Sequence, residues 1–496
     1  MPSSAFLSLP DDVWLEICAF ISVTDVLSLK KTCRVLNALG SSDYLWHQLA
    51  STIDLPLDIP PEVSINNIPA AELQRRAVNA IKLDRNWRKP ESEIKSLVTV
   101  PPDRDGKYFD EIQLIAGAKW LVTAERRRFG QHATGITKMS LWSLEAVDDV
   151  YRTLSFEVEG RFKCFAVARQ KGGKTATIAI TLTCERRELL KVYTVRLEDP
   201  LASEIPIPSS PRLLGCISRA GVHGIIHEVD VRGSVVAATL VDFLDNVHGR
   251  SYQILFFNTT TAVRTVVKPH LPEGLSRLSF VLLDEHVALF GVVHGTVFVR
   301  VYELPKLLAS TEQLRTTSYV AEMPMQSDKF EEFGPLVAEY HTSRLLGPHD
   351  FYISSGSTTA NAKSPNLSVL AFRSFYDDDP SDSYIFNITL DLSASSTPAT
   401  PITVYPKSFR TRGATSVDHV LIGRQGRGVW LEHHWENDEV RLMKLSGVAK
   451  PAASVLLPSY PGLPFTPRSC QALSFDEITG RLCLALHTGE FYILDF

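Results

Sequence analysis

Few stretches of this chain have the residue types that chemistry needs at a usable spacing. Gly172-Gly173-Lys174-Thr175 ends like a phosphate-cradling loop, but that loop requires a glycine five residues before its Gly-Lys pair, and Ala168 stands there. The four residues read as a hairpin turn. His433 and His434 are neighbours, so on a strand they point to opposite faces and do not share a metal. His227-Glu228 opens the pattern of a zinc-binding helix, yet the position that needs a second histidine is Val231. Asp377-Asp378-Asp379 has oxygens for calcium, but its surroundings offer no fixed cage, which favours a solvated run. Arg126, Arg127 and Arg128, beside Phe129, could grip a phosphate or an acidic peptide through paired N–H donors, with Arg424 and Arg427 joining them; the competing reading is a solvated loop. Seven cysteines (Cys18, Cys33, Cys164, Cys184, Cys216, Cys470, Cys483) are scattered, odd in number and without a C-x-x-C pair, so they read as reduced core residues. Neither catalytic residues nor metal ligands nor a cofactor site emerge. The chain reads as a non-enzyme.

The elements that would carry such residues change character along the chain. Its 496 residues are 44% hydrophobic and 22% charged, ordinary globular usage for two or three domains. A net charge of -5 provides no field for nucleic acid or an anionic membrane. No apolar run approaches a membrane span and the start lacks a signal-peptide pattern, so a cytoplasmic or nuclear location is expected. Leu9-Pro10-Asp11-Asp12 suits a helix start: proline has the first-turn φ, and the aspartates oppose the positive end of the helix dipole. Val13, Ile17, Phe20 and Ile21 then follow as one apolar stripe. Thr24 is placed to cap a second helix bearing Val26, Leu29, Cys33 and Leu36, and a third starts near Ser42 or Asp43 with Leu45, Trp46 and Leu49. Three helices this short cannot hide all their apolar faces on one another. Something else must cover them.

Leu9-Pro10, Asp12-Val13, Ile17, Asp25-Val26, Cys33-Arg34 and Leu45-Trp46 with Leu49 resemble the F-box motif in order and spacing. Two positions depart from it: aspartate precedes Val13 where glutamate is commoner, and Leu36 stands where many members carry tryptophan. The resemblance implies a three-helix docking domain over residues 5–50 that binds a Skp-family adaptor and, through it, a cullin and RING ligase. The contact set it implies is Leu9, Pro10, Val13, Ile17, Val26, Leu27, Leu29, Cys33, Leu36 and Trp46.

Residues 51–90 read as a linker with one helix from about Pro69 towards Trp87, its stripe being Leu73, Ala77, Ala80 and Ile81. That helix either spaces the docking domain from the body or lies flat on the body. Beyond Pro90, short β-branched and aromatic runs divided by turn residues indicate an all-β body over 91–496. Runs resembling blade endings recur at Met139–Leu144, Val192–Leu197, Ile254–Phe257, Val297–Tyr302, Val369–Phe372, Val440–Leu445 and Phe491–Phe496. Their rhythm resembles a divergent WD-like propeller of about seven blades. A chain that ends inside a strand leaves an open edge, and Leu97–Val100 is placed to close it. The fold class expected is therefore α + β multidomain: an F-box with a linker helix, then a β-propeller. The function expected is a substrate receptor of a Skp–cullin–F-box ubiquitin ligase whose propeller holds an unknown protein target, with a Skp-binding scaffold or a propeller enzyme as alternatives.

Overall fold

The computed structural model describes residues 9–496 apart from 54, 61–62, 103–106, 128–134, 146–149, 171, 199–209, 221–223, 244–249, 273–274, 294–295, 306–322, 325–332, 342–348, 355–365, 374–382, 391–401, 410–415, 435, 448–449 and 458–461. Arg128 and Asp377–Asp379 therefore lie outside the described residues, as does the side chain of Arg127.

Residues 11–52 fold as four helices: α1 (Asp11–Phe20), α2 (Val23–Lys30), α3 (Arg34–Leu39) and α4 (Asp43–Thr52). Pro10 precedes α1 and its carbonyl accepts from Trp14 N, as a proline at a helix start allows. The cap of α2 is Ser22 and not Thr24: the Ser22 oxygen accepts from Asp25 N at 3.2 Å, and its hydroxyl donates to the Asp25 carboxylate at 2.6 Å. The expected second helix is divided. Thr32 donates its hydroxyl to the Leu29 carbonyl at 2.7 Å, a local bond that competes with helical continuation, and Cys33 is extended before α3 begins.

The core of this module is Cys18, Val23, Val26, Leu45, Trp46 and Leu49, with Trp46 donating to the Gly40 carbonyl at 2.8 Å, and Trp14 is buried as well. Leu57, Ile65 and Ile68 are buried in the same core, so the stretch after the fourth helix is folded onto the module. Helix α5 (Ala70–Trp87) starts where the Asp43 carboxylate accepts from Ala70 N at 2.9 Å. Leu73, Ala77 and Ala80 complete the helical core. Leu83 and Trp87 enter a different core, shared with the β-body. Both expected roles of α5 are thus combined, its first half on the docking module and its last turn on the body.

Among the described residues, twenty-eight strands make seven sheets of four, and Met323–Pro324 adds a short parallel fifth strand to the second sheet. These are the blades, numbered along the chain: 107–159, 161–220, 225–267, 275–341, 349–409, 416–455 and 470–495. Each is an up-and-down meander. The first strands of neighbouring blades pack against one another and so line the axis. The run Ser96–Val100 pairs antiparallel with Phe491–Asp495 and forms the outer strand of blade 7, closing the ring with the first and last strands of the β-body. Six of the runs recognised as blade endings are third strands, and Val369–Phe372 lies in the second strand of blade 5. Gly172 and Gly173 sit at the turn between two strands of blade 2 with positive φ, the hairpin anticipated for them.

Because every blade repeats the same order, all inner strands run the same way along the axis. Inner strands end and second strands begin at one mouth, and second strands end and third strands begin at the other. Five of the described inner strands bear a β-bulge near their start, for example between Phe109 and Glu111, Phe162 and Cys164, and Ile226 and Glu228, and that of blade 6 bears one in its middle. Bulges at such positions bend the strand and re-aim its side chains.

Candidate functional site

Helix α1 has two apolar stripes and the fold buries only one. Trp14 and Cys18, four residues apart, are buried, Cys18 within the module's core. Val13, Ile17 and Phe20 occupy another face and remain 38%, 39% and 87% exposed, with Leu9 just ahead of them at 37%. Pro10 is exposed as well. Nearby, Val35 and Tyr44 are the other large exposed apolar residues of the module among those described. Four unsatisfied apolar side chains in one helical row form the kind of patch that a partner covers.

The ten positions implied by the motif resemblance divide in two. Leu9, Pro10, Val13 and Ile17 present open surface; Leu27, Leu29 and Cys33 are half-buried. Val26, Leu36 and Trp46 are sealed inside the module, Trp46 completely, so they hold the helices together and offer a partner nothing to touch. Phe20, the most exposed of the row, was in the recognised stripe but outside the implied contact set. Trp14 was missed altogether, although its spacing to Cys18 marks a second stripe.

The arginines do not assemble. Arg126 lies near the end of the second strand of blade 1, whereas Arg424 and Arg427 flank the turn that opens the second strand of blade 6. Strand starts and strand ends lie at opposite mouths, about 25 Å apart for eight residues. Arg126 is moreover engaged, 2.5 Å from the Asp110 carboxylate and 5.5 Å over the Tyr108 ring. With Tyr108, Gln471 and His487 it lines a recess of about 350 Å³ at the mouth away from α5. Arg427 is buried for structural reasons: it donates to the Asp84 carboxylate of α5 at 2.9 Å and to the Glu477 carbonyl at 3.1 Å.

That bond belongs to the seat of α5. Trp87 donates to the Leu445 carbonyl at 2.8 Å and stacks on Phe475 at 5.1 Å between centroids, with Phe496 edge-on. Lys444 reaches out of blade 6 to the Lys89 carbonyl at 2.6 Å and the Ser92 hydroxyl at 2.5 Å; burial pulls its pKa down to about 8. At Gly480 the turn of blade 7 passes so close to Leu83 that an added Cβ would collide with it. A row of open apolar residues thus stands on helices whose continuation is fastened into blades 6 and 7.

Residues 6–52 match the family described as F-box-like. The amino-terminal module is an F-box-like domain. No curated protein is matched by the chain. An F-box-like domain followed by a seven-blade propeller is an arrangement typical of adaptor proteins, and F-box domains generally bind Skp-family adaptors.

His433 and His434 alternate across their strand, facing Asp418 at 3.2 Å and Glu432 at 3.6 Å respectively. The seven cysteines are free thiols, with Cys18, Cys216, Cys470 and Cys483 buried. Among the described residues no three His, Cys, Asp or Glu side chains converge as metal ligands, and no helix is long and apolar enough to cross a membrane.

Proposed function

We propose that this chain is the substrate receptor of a Skp–cullin–F-box ubiquitin ligase. Its F-box-like domain binds a Skp-family adaptor, and its propeller holds a target protein for the cullin and RING partners to modify. The observation that carries this reading is the row Leu9, Val13, Ile17 and Phe20, left open on a module whose core is otherwise closed. The three residues about two-fifths exposed have about 0.6 to 1.2 kcal/mol each to gain from full cover, and Phe20 about 2.5 kcal/mol. Half-buried Leu27 and Leu29 belong to the rim of the same contact, and so does Pro10. Catalysis then resides in the partners, and the receptor supplies placement.

The double variant Val13→Asp/Ile17→Asp tests this. Both side chains are about two-fifths exposed and lie outside the buried core, so the variant should stay folded, as checked by a cooperative thermal transition like the parent's. Two carboxylates in an apolar contact should weaken binding to a recombinant Skp-family adaptor by more than 100-fold. Undiminished binding would remove the receptor reading. Cullin recovered with the intact protein, but not with the variant, separates a ligase receptor from a scaffold that binds the adaptor alone.

A further inference from the structure

Inner strands end and second strands begin at the mouth on the α5 side, and the described turn of blade 6 there carries an arginine, Arg424, with no evident structural task. In blade 6 the turn is drawn tight by Gly423 N–H to the Arg427 carbonyl at 2.8 Å and Gly426 N–H to the Gly423 carbonyl at 3.0 Å. Glu477 of blade 7 accepts from Gln425 N with both oxygens, each at 3.1 Å. Gly423 permits that approach, because a Cβ there would strike the Glu477 carboxylate. From blade 5, Ser368 donates to the Arg424 carbonyl at 2.8 Å. The backbone of Arg424 is therefore held by two neighbouring blades.

Its side chain is not similarly occupied. The Arg424 Nε is sealed from solvent and meets no hydrogen-bond partner, while part of the residue stays exposed. Desolvation, and next the like charge of Arg232 from blade 3, pull its pKa down to about 10. Glu477, Asp230 and Asp284 act in the opposite direction, but each is committed elsewhere. Asp230 accepts from Val231 N at 2.8 Å and Leu282 N at 2.9 Å, Asp284 accepts from Arg232 Nε at 2.9 Å, and Glu477 is tied to the turn. An enclosed guanidinium with an idle donor is costly for a fold to keep, and its planar fork matches the oxygens of an oxyanion. Two cationic side chains from blades 3 and 6 reach this one mouth, on a backbone already fixed to receive a ligand.

We propose that the α5-side mouth of the propeller axis binds a small oxyanion, free phosphate or the phosphate group of a small metabolite, through Arg424 with Arg232 beside it. The site lies on the face opposite the Arg126 recess and is independent of the adaptor reading.

Thermal unfolding of the intact chain in sodium phosphate, against sodium chloride of equal ionic strength, tests it. A saturable rise of about 1 to 2 °C at ten times the dissociation constant is expected. Non-specific stabilisation by phosphate does not saturate and is shared by all variants. Glycerol 3-phosphate in place of phosphate distinguishes the two sources: an equal rise means the mouth admits an ester, and a rise with phosphate alone means it takes the free ion. Arg424→Met should abolish the rise while being no less stable than the parent in chloride, since the unpaired cation has gone. Should that variant not fold, Arg232→Gln is expected to weaken phosphate binding at least tenfold. Absence of a saturable rise in the parent, or a rise of undiminished affinity in the variants, overturns the proposal.

Discussion

At the bulges of the inner strands, burial decides protonation. Glu111 follows the bulge of blade 1, where desolvation, with Asp110 adding to it and the Phe165 N–H opposing it, raises its pKa to about 8. Cys164 follows the bulge of blade 2, and burial followed by the charge of Glu111 pushes its thiol up to about 12. The sign of the consequence follows from proton counts. An unfolded glutamate releases its proton near the ordinary value of about 4.3, whereas the native Glu111 keeps it until about pH 8. Between those values the native state binds more protons, so the contribution of Glu111 to stability is intact at pH 4 and declines as pH rises to 8. Glu111→Gln, neutral throughout, should match the parent near pH 5 and exceed it in stability at pH 9, as read by urea unfolding at both pH values. Glu477, raised to about 7, remains in the variant and leaves a shallower slope of the same sign. Identical slopes in parent and variant would mean that Glu111 ionises normally in the fold. None of this was legible in the sequence, because a glutamate in a β-run looks like any solvated residue until the bulge turns it inward. The same holds for Arg427, read as a ligand-binding candidate, whose partner Asp84 is 343 positions away.

Helix α5 is the element on which the two halves depend. Its existence follows from the period of Leu73, Ala77 and Ala80, and its start from Pro69, both readable in the sequence. That Leu83 and Trp87 continue into another core was not readable, since one amphipathic stripe does not say that its two ends face different neighbours. The break between α2 and α3 was likewise hidden in a single hydroxyl, that of Thr32, and apart from the closing strand Leu97–Val100 nothing marked the runs read as blade endings as third or second strands. At 18 residues α5 spans about 27 Å and has no glycine or proline to bend it, so it fixes the distance from the F-box-like domain to the propeller. Its seat contains a buried ion pair, Arg427 to Asp84, beside an exposed one, Arg88 to Asp84. Removing one partner of a buried pair leaves the other charged, desolvated and unpaired. Asp84→Ala should therefore cost about 3 kcal/mol in chemical unfolding, and Arg88→Ala less than about 1 kcal/mol. A protease should also cut the 88–95 segment faster in Asp84→Ala. Equal losses for the two variants would show that the Arg427 pair contributes no more than a surface contact.

For the molecule as a whole, ring closure and the seating of α5 determine where the chain can be divided. The outer strand of blade 7 is Ser96–Val100, and Arg481 reinforces that junction by gripping both oxygens of Asp495 and donating to the Ala118 and Leu144 carbonyls of blade 1. Without residues 96–100, blade 7 exposes the edge of Phe491–Asp495, and the ring loses its covalent join across the gap. The seat makes a second demand: Trp87 covers Phe475 and Phe496, and Leu83 covers the turn at Gly480. Cutting after residue 50 is the least favourable division, because Leu57, Ile65, Leu73, Ala77 and Ala80 would lose the helices they pack on while remaining attached. A chain of residues 82–496 keeps Leu83, Asp84, Trp87 and the closing strand, and should give a single cooperative transition and a monomeric elution volume. Residues 101–496 lack both closures and should aggregate, or unfold at least 10 °C lower. If 51–496 proves as soluble and as stable as 82–496, the helical core does not depend on α5 in the way the packing indicates. If 101–496 folds as well as 82–496, ring closure contributes little, and the pairing of the first and last strands of the β-body is a consequence of the propeller fold without being a condition for it.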